Sequence, residues 1–309
     1  MPLSLADLTH PYPVRRFLDE VWSKTLFTTA SRPDLAEEIC QDFNSNTLEG
    51  FLKLAQEPVL VMHYTRARAY RSTPVSAATA LSFFEAGATL YFHLRPTLRP
   101  VRALAQQLSS DLGIDAQFIR ISLFASPAGA VTEWHFDANE NFTVHLTGKK
   151  RWLVSPATTS NPIERFTATS MCPPSLSQYE PQLREDVRHV EERATAVDML
   201  PGTTLYVPRA AWHRVDALAD STSLNLCVTP ETWEHVVLAA LRKRLLADSR
   251  WREIALGIRG GEARDGGLRE RCDAMLAHLA MEATRLTLDD VAGVPEAAEA
   301  GQDPIHASG

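Results

Sequence analysis

The sequence predicts a mainly β protein with flanking helices, and three observations carry that reading. From Phe118 to about residue 230 the chain is a series of short runs, β-branched or alternating, each bounded by Gly, Pro or Ser. Before that, apolar residues recur mostly at three- and four-residue intervals. After Pro230 the helical spacing returns. Short strands with no long helices between them argue for an antiparallel sandwich or barrel.

The elements follow in chain order. Phe17-Leu18 and Val21-Trp22 recur at helical spacing, and Thr47 to Leu54 reads as a short helix with Thr47 as its N-cap. Val59-Leu60-Val61-Met62 is a short apolar strand. Ser76 to Ala86 and Leu98 to Leu112 read as helices, separated by a strand over Gly87 to His93. Residues 14–110 are thus expected to be mostly helical. The strand run then comprises FIRISLFA, TVHL, RWLVS, TTLYVP and SLNLCVT. Between Pro156 and Thr195 that rhythm breaks into a polar, proline-bearing segment, the signature of a lid or binding loop. Thr232 to Ala247 and Leu268 to Leu286 read as long helices joined by RGGEARDGG. The closing PEAAEAGQDPIHASG reads as a disordered tail.

Composition narrows the function classes. The chain has 309 residues, 45% hydrophobic and 22% charged, enough for a substantial core. A net charge of −7 supplies no overall cationic field for nucleic acid. The cysteines Cys40, Cys172, Cys227 and Cys272 lie far apart and form no C-x-x-C pair, which points to a reducing compartment. No run is long and apolar enough to be a signal peptide or a membrane span, so a cytoplasmic protein is expected.

The chemistry concentrates in WHFDANENFTVHLTGKKRW, Trp134 to Trp152. On a strand, side chains i and i+2 share a face, so His135 and Asp137 can hold one ion. An H-x-D tripeptide alone is common and usually structural. A redox-active iron site of the facial type needs a second imidazole from elsewhere. His213, in PGTTLYVPRAAWHRV, is the leading candidate. Asn141, Thr143 and His145 alternate with Phe142, Val144 and Leu146. The polar face is ordinarily solvated, but in a small barrel it becomes the interior of a ligand cavity. Lys150 opens the next strand, where it either belongs to a solvated turn or neutralises an anionic ligand.

With those residues in view, the chain resembles the JmjC/cupin-type Fe(II)- and 2-oxoglutarate-dependent oxygenases, particularly the asparaginyl hydroxylases and ribosomal oxygenases. That family places a threonine three residues before the first metal histidine, an asparagine six after it and a lysine fifteen after it. Thr132, Asn141 and Lys150 stand there. The distal PGTTLYVPRAAWHRV is similar to the family's P-G-D-x-L-Y-I-P-x-x-x-W-H, with threonine replacing the aspartate. Ser223-Leu224-Asn225-Leu226 resembles its last core strand. FLDEVWSKTLF resembles the F-L-x-x-x-W opening of ribosomal oxygenases.

The resemblance implies a double-stranded β-helix (jelly-roll/cupin) core over 118–230, with the insertion at 156–195 as a lid. It implies an N-terminal helical or mixed region, 1–117, packing on the barrel. A C-terminal helical segment, 231–290, would form a homodimer, with a disordered tail at 291–309. His135, Asp137 and His213 would hold Fe(II), with O2 and 2-oxoglutarate at the open positions. Lys150 and Thr132 would bind the distal carboxylate of 2-oxoglutarate, and Asn141 and Asn225 would orient the cosubstrate. Ser122, Phe124 and Thr143 would line the same cavity; His145 lies near it without an assigned role. The implied reaction is hydroxylation of a protein or peptide side chain, with decarboxylation of 2-oxoglutarate to succinate. Asp137 argues against halogenation, which needs that ligand absent. Hydroxylation of a free amino acid or small metabolite, demethylation of N-methyl-lysine and a non-catalytic cupin remain alternatives. The acidic pairs near Glu180, Glu185-Asp186 and Glu191-Glu192 suit a basic peptide, or simply a solvated face.

Overall fold

In the computed structural model, the described residues are 3–64, 70–163, 165–167, 187–229, 231–255 and 266–292. They form two compact units that divide between Thr229 and Glu231. The first unit is built on two sheets in which every pairing is antiparallel.

The strands are β1 (Phe27–Thr28), β2 (Val59–Tyr64), β3 (Tyr70–Val75), β4 (Thr89–His93), β5 (Ile119–Ser126), β6 (Val131–Phe136) and β7 (Glu140–Thr147). They continue with β8 (Lys150–Ser155), β9 (Phe166–Thr167), β10 (Thr195–Met199), β11 (Thr204–Val207), β12 (Trp212–Ala217) and β13 (Ser221–Val228). The larger sheet runs β1-β11-β7-β13-β5-β4-β2-β3, and the smaller β10-β8-β12-β6-β9. This is a cupin fold, mainly β with flanking helices, as the strand run from Phe118 predicts.

Helices α1 (Leu5–Thr9), α2 (Val14–Glu20), α3 (Pro33–Asp42), α4 (Leu48–Leu52), α5 (Ala77–Glu85) and α6 (Arg99–Leu112) precede the barrel strands. The main apolar core is made by these helices and the apolar face of the larger sheet. Phe17, Leu35, Ile39, Phe51 and Leu108 join Leu123, Phe142, Val144, Leu224 and Leu226 in one buried cluster. The alternation along β7 thus has its apolar side in the core and its polar side inside the barrel. This ordering, apolar outside and polar within, leaves room for a ligand.

Several elements escape sequence reading. The strands expected at Val59–Met62 and Gly87–His93 stand as β2 and β4, but β3 is added beside them, so the region 14–110 is less helical than its periodicity suggests. Strand β3, YRSTPV, contains Pro74, which normally argues against a strand. Pro74 is tolerated because β3 is an edge strand, where one side needs no partner. The two ends of the 156–195 segment add β9, paired to β6, and a short helix α7 (Val187–Glu192), with β10 beginning at Thr195. Half of that segment, including Glu180, Glu185 and Asp186, lies outside the described residues.

The second unit holds α8 (Trp233–Ala247), α9 (Gly266–Ala283) and α10 (Leu288–Ala292). Thr232 caps α8, its hydroxyl accepting from the His235 N–H at 3.2 Å. Arg244 on α8 reaches Glu282 of α9 at 3.2 Å and Asp290 of α10 at 3.0 Å. The Trp251 indole N–H donates to His278 Nδ1 at 2.8 Å. Most of the predicted RGGEARDGG link and all of the closing PEAAEAGQDPIHASG lie outside the described residues.

Candidate metal centre

Strands β6 and β12 lie side by side with His135 opposite His213 in register. The imidazoles face each other with ring centroids 4.0 Å apart. Asp137 follows the end of β6 and places its Oδ2 3.7 Å from His213 Nε2. One ligand atom from each of the three residues lies within 4.8 Å of the others. Two imidazole nitrogens and one carboxylate oxygen on one side of a cavity form the donor set of a facial iron site, with other positions left open.

The backbone fixes which nitrogens face the cavity. His135 Nδ1 lies 2.7 Å from the Glu133 carbonyl and His213 Nδ1 lies 3.0 Å from the Ala211 carbonyl. A carbonyl only accepts, so each Nδ1 carries the proton and each Nε2 offers a lone pair. Burial, then the charge of His213 and of Arg165, holds His135 well below the usual histidine pKa. Burial also lowers His213, against an opposing pull from Asp137. Both shifts favour the neutral imidazole, the form a metal needs. Asp137 is held by the Asn141 amide, which donates to Oδ2 at 3.2 Å, and by Arg165, whose Nε is 3.3 Å from Oδ1.

Behind the triad, a cavity of about 940 Å3, open mouth included, runs between the two sheets. Of the residues singled out from sequence, Phe124, Thr132, Asn141, Thr143, Lys150 and Asn225 line it together with the triad. Ser122 does not; it is fully buried beneath, its hydroxyl facing the Asn225 carbonyl at 3.5 Å. Thr143 donates to Asn225 Oδ1 at 3.0 Å, which orients that amide. His145 lies below the cavity wall, with Nδ1 3.0 Å from the hydroxyl of Ser223, which does line it. Burial first, and Lys150 second, push the His145 imidazole down to about 3.

Lys150 has only 3% of its surface exposed, and among the described residues no carboxylate is ion-paired with it. Burial alone pushes its ammonium down to about 7. By contrast, Lys149 reaches Asp198 at 3.3 Å on the surface. The turn between β7 and β8 depends on Gly148, at φ +75°, where a Cβ would run into the Asp220 carbonyl. That turn sends Lys150 inward.

Sequence reading missed four contributors. Arg165 sits in the polar insertion, where no pattern marks it. Trp152 stacks on His213, with ring centroids 5.4 Å apart and planes 24° apart. Arg120 and Cys227 also line the cavity. Both lie two residues from predicted site positions, Ser122 and Asn225, so strand alternation could have found them.

Comparison with known proteins places this geometry. The cupin-like domain family matches residues 45–233. The Bacillus subtilis (strain 168) protein YxbC, itself uncharacterized, is 27% identical over 300 residues, covering 93% of this chain and 89% of that one. Ribosomal oxygenase 1 of Gallus gallus is 31% identical over 127 residues, which are 38% of this chain but only 19% of that protein. The ribosomal oxygenase YcfD of Escherichia coli, solved in complex with cobalt and 2-oxoglutarate, shares the fold at a TM-score of 0.50 and 15% identity. That match covers 88% of this chain and 66% of YcfD.

Proposed function

Since the chain belongs to the cupin-like domain family, we propose that it is an Fe(II)- and 2-oxoglutarate-dependent oxygenase that hydroxylates a protein or peptide side chain. The observation that carries this reading is the pairing of a His-Asp-His donor set with Lys150, a buried cation in the same cavity. An ammonium buried at that cost belongs where a ligand's anion will meet it. A dicarboxylate keto acid supplies that anion.

The chain's residues divide the work. His135, Asp137 and His213 hold the metal, and the Glu133 and Ala211 carbonyls keep the two imidazoles in the ligating tautomer. Lys150, with Thr132, takes the distal carboxylate; the contact is charge-assisted and about twice as strong as a neutral one. Asn141 orients Asp137, while Thr143 and Asn225 fix the polar wall. The bound iron and keto acid supply the oxidising chemistry, with 2-oxoglutarate decarboxylated to succinate as O2 is consumed.

The likeness to Ribosomal oxygenase 1 and YcfD supports a protein or peptide substrate. Among the described residues that line the cavity, the charged ones are Arg120, Lys150, Arg165 and Asp137, which gives no support to a basic substrate group. Glu191 and Glu192 are exposed on α7. We also propose a homodimer through the C-terminal helices, where Trp233, Leu238, Ile254, Leu276 and Leu288 are exposed. No helix among the described residues is long and apolar enough to cross a membrane.

Incubating the Fe(II)-loaded chain with 2-oxoglutarate and a peptide array, and scoring products by a mass gain of one oxygen, tests the reaction. Peptide hydroxylation coupled one-to-one to succinate supports the proposal. Succinate formation stimulated only by free amino acids or other small molecules moves the substrate to that class.

A further inference from the structure

The metal ligands come from two separate pieces of chain, the end of β6 and the turn entering β12. Something must hold those pieces in a fixed relation, and the structure shows a buried carboxylate between them. Glu140, the first residue of β7, is 1% exposed. Its Oε2 accepts from the Tyr206 hydroxyl at 2.5 Å and from the Arg209 backbone N–H at 3.2 Å. Its Oε1 accepts from the Ser23 hydroxyl. An ionised carboxylate, which only accepts, suits three donors.

The Arg209 contact matters most for the site. Arg209 begins the turn Arg209-Ala210-Ala211 between β11 and β12. Its neighbour Ala210, at φ 69°, donates its N–H to the Asp137 carbonyl at 2.9 Å. The next residue, Ala211, supplies the carbonyl that holds His213 Nδ1. Three consecutive residues therefore bind Glu140, Asp137 and His213 in order. Glu140 itself stands three positions after Asp137 and one before Asn141, whose amide holds the Asp137 carboxylate.

We propose that Glu140 is a positioning residue for the metal centre: it clamps the Arg209–Ala211 turn against the Asp137 segment and so sets the distance and angle between Asp137 and His213. The proposal rests on the reading of the triad as a metal site. Ser23 and Tyr206 are the outer supports of the clamp. The Ser23 N–H donates to the Tyr206 hydroxyl at 2.7 Å.

Co(II) titration of the metal-free chain, followed by visible absorption, separates this role from general stability. Glu140→Met keeps the volume and removes every acceptor; it should weaken Co(II) about tenfold, as loss of an outer partner of a metal ligand does, and alter the band shape. Glu140→Gln keeps an oxygen for Tyr206 and Arg209 and should restore affinity to within about threefold. Tyr206→Phe removes an outer support; it should lower the melting temperature while holding Co(II) affinity within about twofold. Should the Met variant not fold, Glu140→Asp, which withdraws the carboxylate by one methylene, should weaken Co(II) several-fold.

Wild-type affinity and band shape in the Met or Asp variant overturn the proposal. So does equal loss in the Gln and Met variants, or equal loss in Tyr206→Phe, which makes the effect one of stability. A wild-type chain that takes up no Co(II) refutes the metal reading itself and this proposal with it.

Discussion

Replacing Lys150 with methionine should make the ligand-free protein more stable and abolish its affinity for 2-oxoglutarate. Lys150 sits in the cavity with its ammonium pushed from the ordinary 10.5 to about 7 by burial alone. That displacement corresponds to at most about 4 kcal/mol of unfavourable burial at pH 7. Each kcal/mol shifts the melting temperature of a domain this size by about 2–4 °C, so even a quarter of that figure is resolvable. The pH dependence has a definite sign. Because the folded value lies below the unfolded one, the unfolded chain holds more protons between about pH 7 and 10.5. Wild-type stability should therefore climb with pH across that window, and the Met variant should lack that slope. Scanning fluorimetry at pH 7 and 9 measures both. The ligand side is equally specific. At pH 8 most ligand-free chains hold Lys150 neutral, so binding a dicarboxylate should take up close to one proton per chain. Near pH 6 it should take up almost none. Calorimetry in buffers of different ionisation enthalpy reads that number. A Met variant that is less stable at pH 7 would show that burying the Lys150 ammonium carries no such cost, and one that binds 2-oxoglutarate within threefold of wild type would take Lys150 out of the cosubstrate site.

Other expectations concern the metal, the turn and the assembly. Because burial lowers the pKa of both His135 and His213, Co(II) affinity should hold within about threefold between pH 7.5 and 6; two ordinary, exposed imidazoles titrating near 6.5 would make it fall by more than about tenfold over that range. Gly148→Ala should cost more than 1 kcal/mol in chemical denaturation and raise the KM for 2-oxoglutarate, since the turn that aims Lys150 has no room for a Cβ. An unchanged KM would separate that turn from the cosubstrate site. Sedimentation at micromolar concentration should show a dimer, converted to monomer by Trp233→Glu with Leu276→Glu. A wild-type monomer would show that these exposed apolar residues form no dimer.

The sequence carried most of the site because the chemistry lies on strands. Alternation puts Asn141, Thr143 and His145 on one face, and the strand period puts His135 and Asp137 together. The structure adds what periodicity cannot supply, namely which face is inside. Asn141 and Thr143 look into the barrel because Phe142 and Val144 are claimed by α2 and its neighbours outside it. The His135–His213 pairing is a long-range register, visible locally only through the family pattern. Arg165 was illegible, because it acts from an insertion with no repeating pattern. Strand β3 was hidden by Pro74, whose tolerance at a sheet edge is a property of topology. Glu140 reads as an ordinary polar residue opening a strand. Only the three-dimensional convergence of Ser23, Tyr206 and Arg209 marks it.

On the proposed reading, His135, Asp137 and His213 hold an iron to which 2-oxoglutarate is added, with Lys150 gripping its far end. Anaerobic titration of the Fe(II)-loaded chain with 2-oxoglutarate, followed by visible absorption, tests it most directly. The predicted result is a metal-to-ligand charge-transfer band that saturates at one equivalent per chain and is lost in Asp137→Ala. No band in the wild-type chain, or the same band at the same affinity in Asp137→Ala, would contradict it.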